Sequence, residues 1–214
     1  MSDNGQVSPA TRSYGGVSAA ERSATRRAAL IEAALDVLAE SGASSVTMQA
    51  VCTRARLNDR YFYEHFTDCD ALLEVAAQDF TAQGLQAVIG ATRAAPSDIR
   101  AQVHAAADAA LDFMTADPRR GQLLLGSQST KVLQSARLAS TRTIASAMTR
   151  EMLGESAPTP LDTELAAFTI VSGTVELVAA WLRGDYDISR QHLADLVAAM
   201  LLSINGISTA LLQS

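Results

Sequence analysis

A chain of 214 residues with 48% hydrophobic and 19% charged residues is long enough for one or two domains with a sizeable core, and too apolar to stay disordered. Abundant alanine beside only 12 Gly and 5 Pro favours long helices and an all-α fold. The net charge of −6 weighs against a uniformly basic nucleic-acid binder, yet residues 1–66 carry seven Arg against seven Asp or Glu, so the acidity lies in residues 67–214. An acidic remainder would be repelled by a phosphate backbone and would orient the molecule on it.

Cys52 and Cys69 lie in no Cys-x-x-Cys or Cys/His metal spacing, which suits a small buried side chain and a free thiol. No apolar run is expected to reach the ~18–20 residues that cross a bilayer. Met1 to Gly16 is polar and lacks the hydrophobic centre of a signal peptide. The expectation is a cytoplasmic protein with no membrane partner.

In chain order, residues 1–17 are polar and read as a flexible arm. Ser18 and Glu21 have the spacing of a capping box, and Ile31, Ala34, Leu35 and Leu38 then form one apolar stripe that Gly42 ends. Thr47 is the N-cap candidate of a short helix to Arg54; after a turn at 55–57, Asn58 caps a second, from Asp59 to Phe66. A longer helix opens at Cys69 or Asp70 and runs to about Gly90. Pro96 and Ser97 start the next, to Ala116. Asp117-Pro118 is a cap followed by proline at the first helical position, opening a short helix to about Leu125. Residues 129–153 form a long helix stopped by Gly154, and Pro158-Thr159-Pro160 is a break. A strongly apolar helix spans 161–183 and ends at Gly184. Ser189 caps the last helix, with Ile188 and Leu193 placed as a hydrophobic staple.

Two short helices around a tight turn are marginal alone and need tertiary packing. Val51, Ala55, Leu57, Phe62 and Phe66 supply it, leaving Asp59, Arg60, Tyr61, Tyr63, Glu64 and His65 on the other face. Donors, acceptors and aromatic tips on one helix face are what reading a major groove requires.

Residues 24–80 resemble the DNA-binding domain of the TetR family of bacterial repressors. That pattern is Thr-x-x-x-Ile-Ala-x-x-Ala-Gly-Val-Ser followed by a helix ending in Tyr-x-x-Phe. This chain reads Thr47-Met48-Gln49-Ala50-Val51-Cys52-Thr53-Arg54-Ala55-Arg56-Leu57-Asn58, continues to Tyr63-Glu64-His65-Phe66, and has Leu72-Leu73 at the usual start of the fourth helix. It departs at two positions: Arg56 stands where the turn has Gly, and Cys69 where a phosphate-binding Lys is usual. A side chain at positive φ costs roughly 1 kcal/mol, and a lost phosphate contact lowers the salt slope by about one.

The resemblance implies an N-terminal helix-turn-helix domain at 18–68 and a helical effector-binding and dimerisation domain at 69–214. It implies that Thr47, Tyr63 and His65 bond phosphates, and that Gln49 in the first short helix and Asp59, Arg60, Tyr61 and Glu64 in the segment capped by Asn58 face bases. Plainer roles stand beside these. Arg60 and Glu64 have the spacing of an i,i+4 ion pair, Tyr61 and Tyr63 suit core packing, and His65 suits a helix-end role. Arg22, Arg26 and Arg27 either touch the DNA backbone or form a solvated face.

In the larger domain, the last two helices carry more apolar surface than one partner face needs, and Gly173 would allow close approach. A homodimer through a four-helix bundle is expected. The helices between would enclose a small-molecule effector among Phe113, Met114, Leu124, Met148, Met152, Phe168 and Trp181, oriented by Thr174 and Glu176; Glu176 also suits an interface pair. His104, Asp108 and Asp112 read as a solvated stripe, not a metal site. No nucleophile elbow, phosphate loop or dinucleotide fingerprint is present, so neither catalysis nor a cofactor is expected. The expected function is a repressor that binds a palindromic operator on double-stranded DNA and is released by a small apolar effector. The alternative is a helical interaction protein whose degenerate helix-turn-helix binds no DNA.

Overall fold

The computed structural model describes residues 18–127, 129–153 and 161–211, with side chains outside the description at 152, 153 and 204–211. The arm expected at 1–17, the Gly154 stop and the break at 158–160 lie outside the described residues. Those residues are helical throughout, with no strand: α1 Ala19–Ser41, α2 Met48–Ala55, α3 Asp59–Tyr63, α4 Cys69–Ala94, α5 Ile99–Ala116, α6 Pro118–Gly126, α7 Lys131–Leu153, α8 Leu161–Arg183 and α9 Arg190–Leu211.

Helix starts are set by side chains that take up orphan backbone donors. Ser18 and Glu21 form the reciprocal capping box of α1. Thr47 accepts from the Ala50 N–H, Asn58 from Tyr61, Asp117 from Arg119, and Ser189 from His192. α4 opens at Cys69, one of the two expected starts, with Asp68 as its cap. α5 starts later than expected, because Asp98, one or two residues beyond Ser97 and Pro96, is the stronger cap. α4 runs one turn past Gly90, whose missing side chain faces open space, and α3 stops at Tyr63 instead of Phe66.

α1 to α4 close around one core in which Leu30, Val51, Phe62 and Leu72 are fully buried. Leu123 of α6 and Leu133 of α7 enter the same core, so the N-terminal domain is joined to the body by packing as well as by chain. Behind it α5, α8 and α9 pack on Ala107, Leu111, Leu193, Ala194 and Ala198, and α7 meets α8 at Ala145, Ala167 and Val171. Contrary to expectation, α8 is long and apolar enough to cross a membrane by length and composition. Scattered Thr, Ser and Glu residues interrupt the apolar run but leave its mean hydropathy at 1.8. In the fold α8 packs on α7 and α9, burying Thr163, Ala167, Val171, Val178 and Ala179.

Candidate nucleic-acid interface and effector cavity

The turn between α2 and α3 depends on Arg56, the one non-glycine residue at positive φ among the described residues (φ 56°, ψ 39°). Its N–H caps α2 by bonding the Thr53 carbonyl, and Leu57 N–H bonds the Cys52 carbonyl. The glycine position is thus filled at a steric cost, and the left-handed turn is kept.

α3 presents Asn58, Asp59, Arg60, Tyr63 and Glu64 to solvent, while Phe62 beneath them is fully buried. Arg60 is 84% exposed and ion-pairs with Glu64 at 3.2 Å. Tyr63 is 61% exposed, held edge-on against Phe62 rather than packed in the core. Thr47 and Gln49 are exposed at the start of α2 and, with Arg56, line a wide surface groove.

Four residues near this face are less open to solvent. Tyr61 is half-buried, with the Arg26 guanidinium 4.5 Å above its ring. His65 is half-buried and its Nε2 is enclosed without a partner, because the chain turns inward after α3 to seat Phe66. Arg26 also pairs with Glu64 at 3.6 Å, and Arg27 with Asp79 at 4.0 Å while lying 5.8 Å over Phe66. Arg26 and Arg27 are therefore internal tethers of the domain, not a solvated face.

A second charged system was not anticipated from sequence. Arg119, at the start of α6, bonds Asp117, Asp36 and Glu32 at 2.7, 2.8 and 2.9 Å. Asp36 also takes Arg54 of α2 at 3.3 Å, and Arg54 pairs with Glu40. The body is thus wired to α1 and from there to the helix-turn-helix. The Arg119 guanidinium holds the Asp117 carboxyl below its ordinary value, and Arg54 does the same for Glu40. Partners so far apart in sequence leave no local spacing that would have revealed them.

The body encloses a cavity of about 560 Å³ between α4, α5, α7, α8 and α9, floored by α6. Phe113, Met114, Leu124, Met148 and Thr174 line it. Phe168 does not; it packs at the α7–α8 contact. Trp181 does not either; it packs with α5 and α9 and donates its indole N–H to the Ile188 carbonyl at 2.9 Å. Glu176 stands outside the wall, paired with Arg137, which does line it. The Met152 side chain lies outside the described residues. Arg137, Ser140 and the α4 positions Leu85, Val88 and Ile89 are lining residues that sequence reasoning missed, since a helix stripe facing a void has the same periodicity as one facing a core.

The stripe His104, Asp108, Asp112 is not merely solvated: Arg190 of α9 bonds Asp108 and Asp112, and His104 lies 3.7 Å from Asp195. No metal-binding group of His, Cys, Asp or Glu occurs among the described residues. Gly173 has nothing within 4 Å of its missing side chain, and with Leu161, Leu165 and Thr169 it forms an exposed stripe on α8; Leu196 and Ala199 are exposed on α9.

A short α2 and α3 at a left-handed turn, with a polar face outward and Phe62 inward, is helix-turn-helix geometry. Residues 30–76 match the family model of the bacterial regulatory proteins of the tetR family. The N-terminal domain is of the TetR family. Solved structures extend the likeness of fold beyond that TetR-type domain to the helical body. The fatty acid degradation regulator FadR from Bacillus halodurans is 17% identical, with a TM-score of 0.65 over 83% of this chain and 94% of its own. FadR from Bacillus subtilis, solved in complex with stearoyl-CoA, is 17% identical, with a TM-score of 0.60 over 82% and 97%. A TetR-like transcriptional regulator from Rhodococcus sp. RHA1 is 23% identical, with a TM-score of 0.59 over 84% and 95%. No curated protein sequence matches the chain.

Proposed function

We propose that the protein is a dimeric transcriptional repressor of the cytoplasm, released from a palindromic DNA site by a small apolar effector. The observation that carries this reading is the pairing of an outward polar face on α3 with a separate, largely apolar cavity in the body. Thr47 and Tyr63 would bond phosphates and set register, and Gln49, Asp59 and Arg60 would meet base edges. Tyr61 and His65 would hold α3 in place, given their burial. The exposed stripes of α8 and α9 would pair with a second copy, placing two reading heads on two half-sites. The stearoyl-CoA held by the similarly folded Bacillus subtilis regulator favours an apolar effector here. Ligand would favour one separation of the two heads, and DNA the other.

Mobility shift with the DNA upstream of the protein's own coding region tests this. Binding that weakens steeply with salt is expected. Tyr63→Ala would weaken all sites alike, whereas Arg60→Ala would change base preference in a site selection, by roughly 1–3 kcal/mol at one position. A folded dimer that shifts no DNA at low salt would overturn the reading in favour of an interaction protein.

A further inference from the structure

The shape of the cavity and the polar atoms in its wall name a class of effector. On α7 the lining residues run from Leu133 through Arg137, Ser140, Ile144 and Met148 to Glu151, a stripe of about 27 Å at 1.5 Å per residue. On α4 the lining likewise runs from Ala77 to Arg93. A cavity of about 560 Å³ whose lining extends this far along two helices has the length to take an extended chain.

The wall is apolar apart from a few groups. The Arg137 side chain is 20% exposed and lines the channel, whereas its counter-ion Glu176 is 50% exposed and does not. Two residues from Glu176, the Thr174 hydroxyl is fully buried without a hydrogen-bond partner, and Thr174 lines the same channel. A guanidinium in a low-dielectric wall with a counter-ion free to turn into water, in a channel that also holds an unused hydroxyl, can seat an anion. The other arginine of the wall, Arg93, is 70% exposed and paired with Glu151, so solvent competes there.

We infer, building on the effector-cavity reading above, that the ligand is an unbranched apolar chain with an anionic head, the head displacing Glu176 from Arg137 and bonding Thr174. The chain then extends along α7 toward Glu151. From Arg137 that arm is about 21 Å long, which at about 1.25 Å per carbon of a zigzag of ~1.5 Å bonds holds about 16 carbons.

Calorimetry on the full-length protein below micelle concentrations tests this directly, without DNA. Dodecanoate should bind at least about tenfold tighter than 1-dodecanol. From octanoate upward, affinity should rise roughly fourfold per added methylene and level off near 16 carbons. Arg137→Gln should erase the carboxylate preference, Glu176→Gln should enlarge it, and Thr174→Val should weaken dodecanoate severalfold. Palmitate and palmitoyl-CoA distinguish a free carboxylate from a thioester carrier as the source; the tighter binder names it, and failure of both overturns the inference. Equal binding of dodecanoate and 1-dodecanol, or a preference that Glu176→Gln leaves unchanged, also overturns it. If neutral apolar compounds then still release DNA, the regulator reading stands and only the anionic head is lost. If the lipids bind as expected and no DNA does, the reverse holds.

Discussion

Around Phe62 the N-terminal domain packs large side chains, with Leu30, Val51 and Leu72 fully buried beside it. Around Ala107, Ala145, Ala167 and Ala198 the body packs small ones and leaves a channel. The same helical alphabet has been spent on a filled core in one case and on a walled void in the other. A reading head must hold its side chains in one register, which close packing enforces. A ligand site must leave room, and small side chains in its wall, such as Ala107, leave it.

The largest effect that would test this contrast is Phe62→Ala. Removing a fully buried ring from the filled core should cost about 3–5 kcal/mol and abolish DNA binding, read by denaturant unfolding and mobility shift. A loss under about 1 kcal/mol would mean that the head is as loosely packed as the body.

Next comes the wiring between the regions. Arg119→Met should cost only about 0.5–1 kcal/mol, since the group is partly exposed, yet it should blunt the response of DNA binding to effector. The depressed carboxyl of Asp117 gives a pH signature. Its stabilising contribution is present above the ordinary carboxylate value of about 4 and is lost as pH falls through the lower folded value. Below about pH 4, thermal stability should therefore fall more in the parent protein than in Arg119→Met. Parallel curves would show that the pair does not stabilise the fold.

The smallest effect is at the turn. Arg56→Gly should stabilise by about 0.5–1 kcal/mol by relieving the left-handed conformation, seen as a raised Tm. Any accompanying loss of DNA affinity would mean that the Arg56 side chain itself contributes to binding.

Much of the head was legible in the sequence because its signals are local. The capping box at Ser18 and Glu21, the caps at Thr47 and Asn58, and the buried set Val51, Phe62 and Phe66 all follow from spacing over a few residues. The inward turn of His65 and the stacking of Arg26 on Tyr61 were not legible, because they depend on how α1 crosses α3. In the body, helix order and most boundaries could be read, but the cavity could not be drawn. Phe113, Met114, Leu124 and Met148 face it while Phe168 and Trp181 face neighbouring helices, and hydrophobicity alone does not tell these apart. The Arg119 and Arg190 pairs join residues some eighty positions apart, beyond any local pattern.

Leu123 and Leu133 belong to both regions at once: each sits in the core that seats Phe62, and each also forms part of the channel wall. A guest pressing on these two leucines has no slack to absorb the push, because what lies on their far side is already full. The floor of the chamber is the foundation of the reading head, so filling one is felt in the other without any hinge between them.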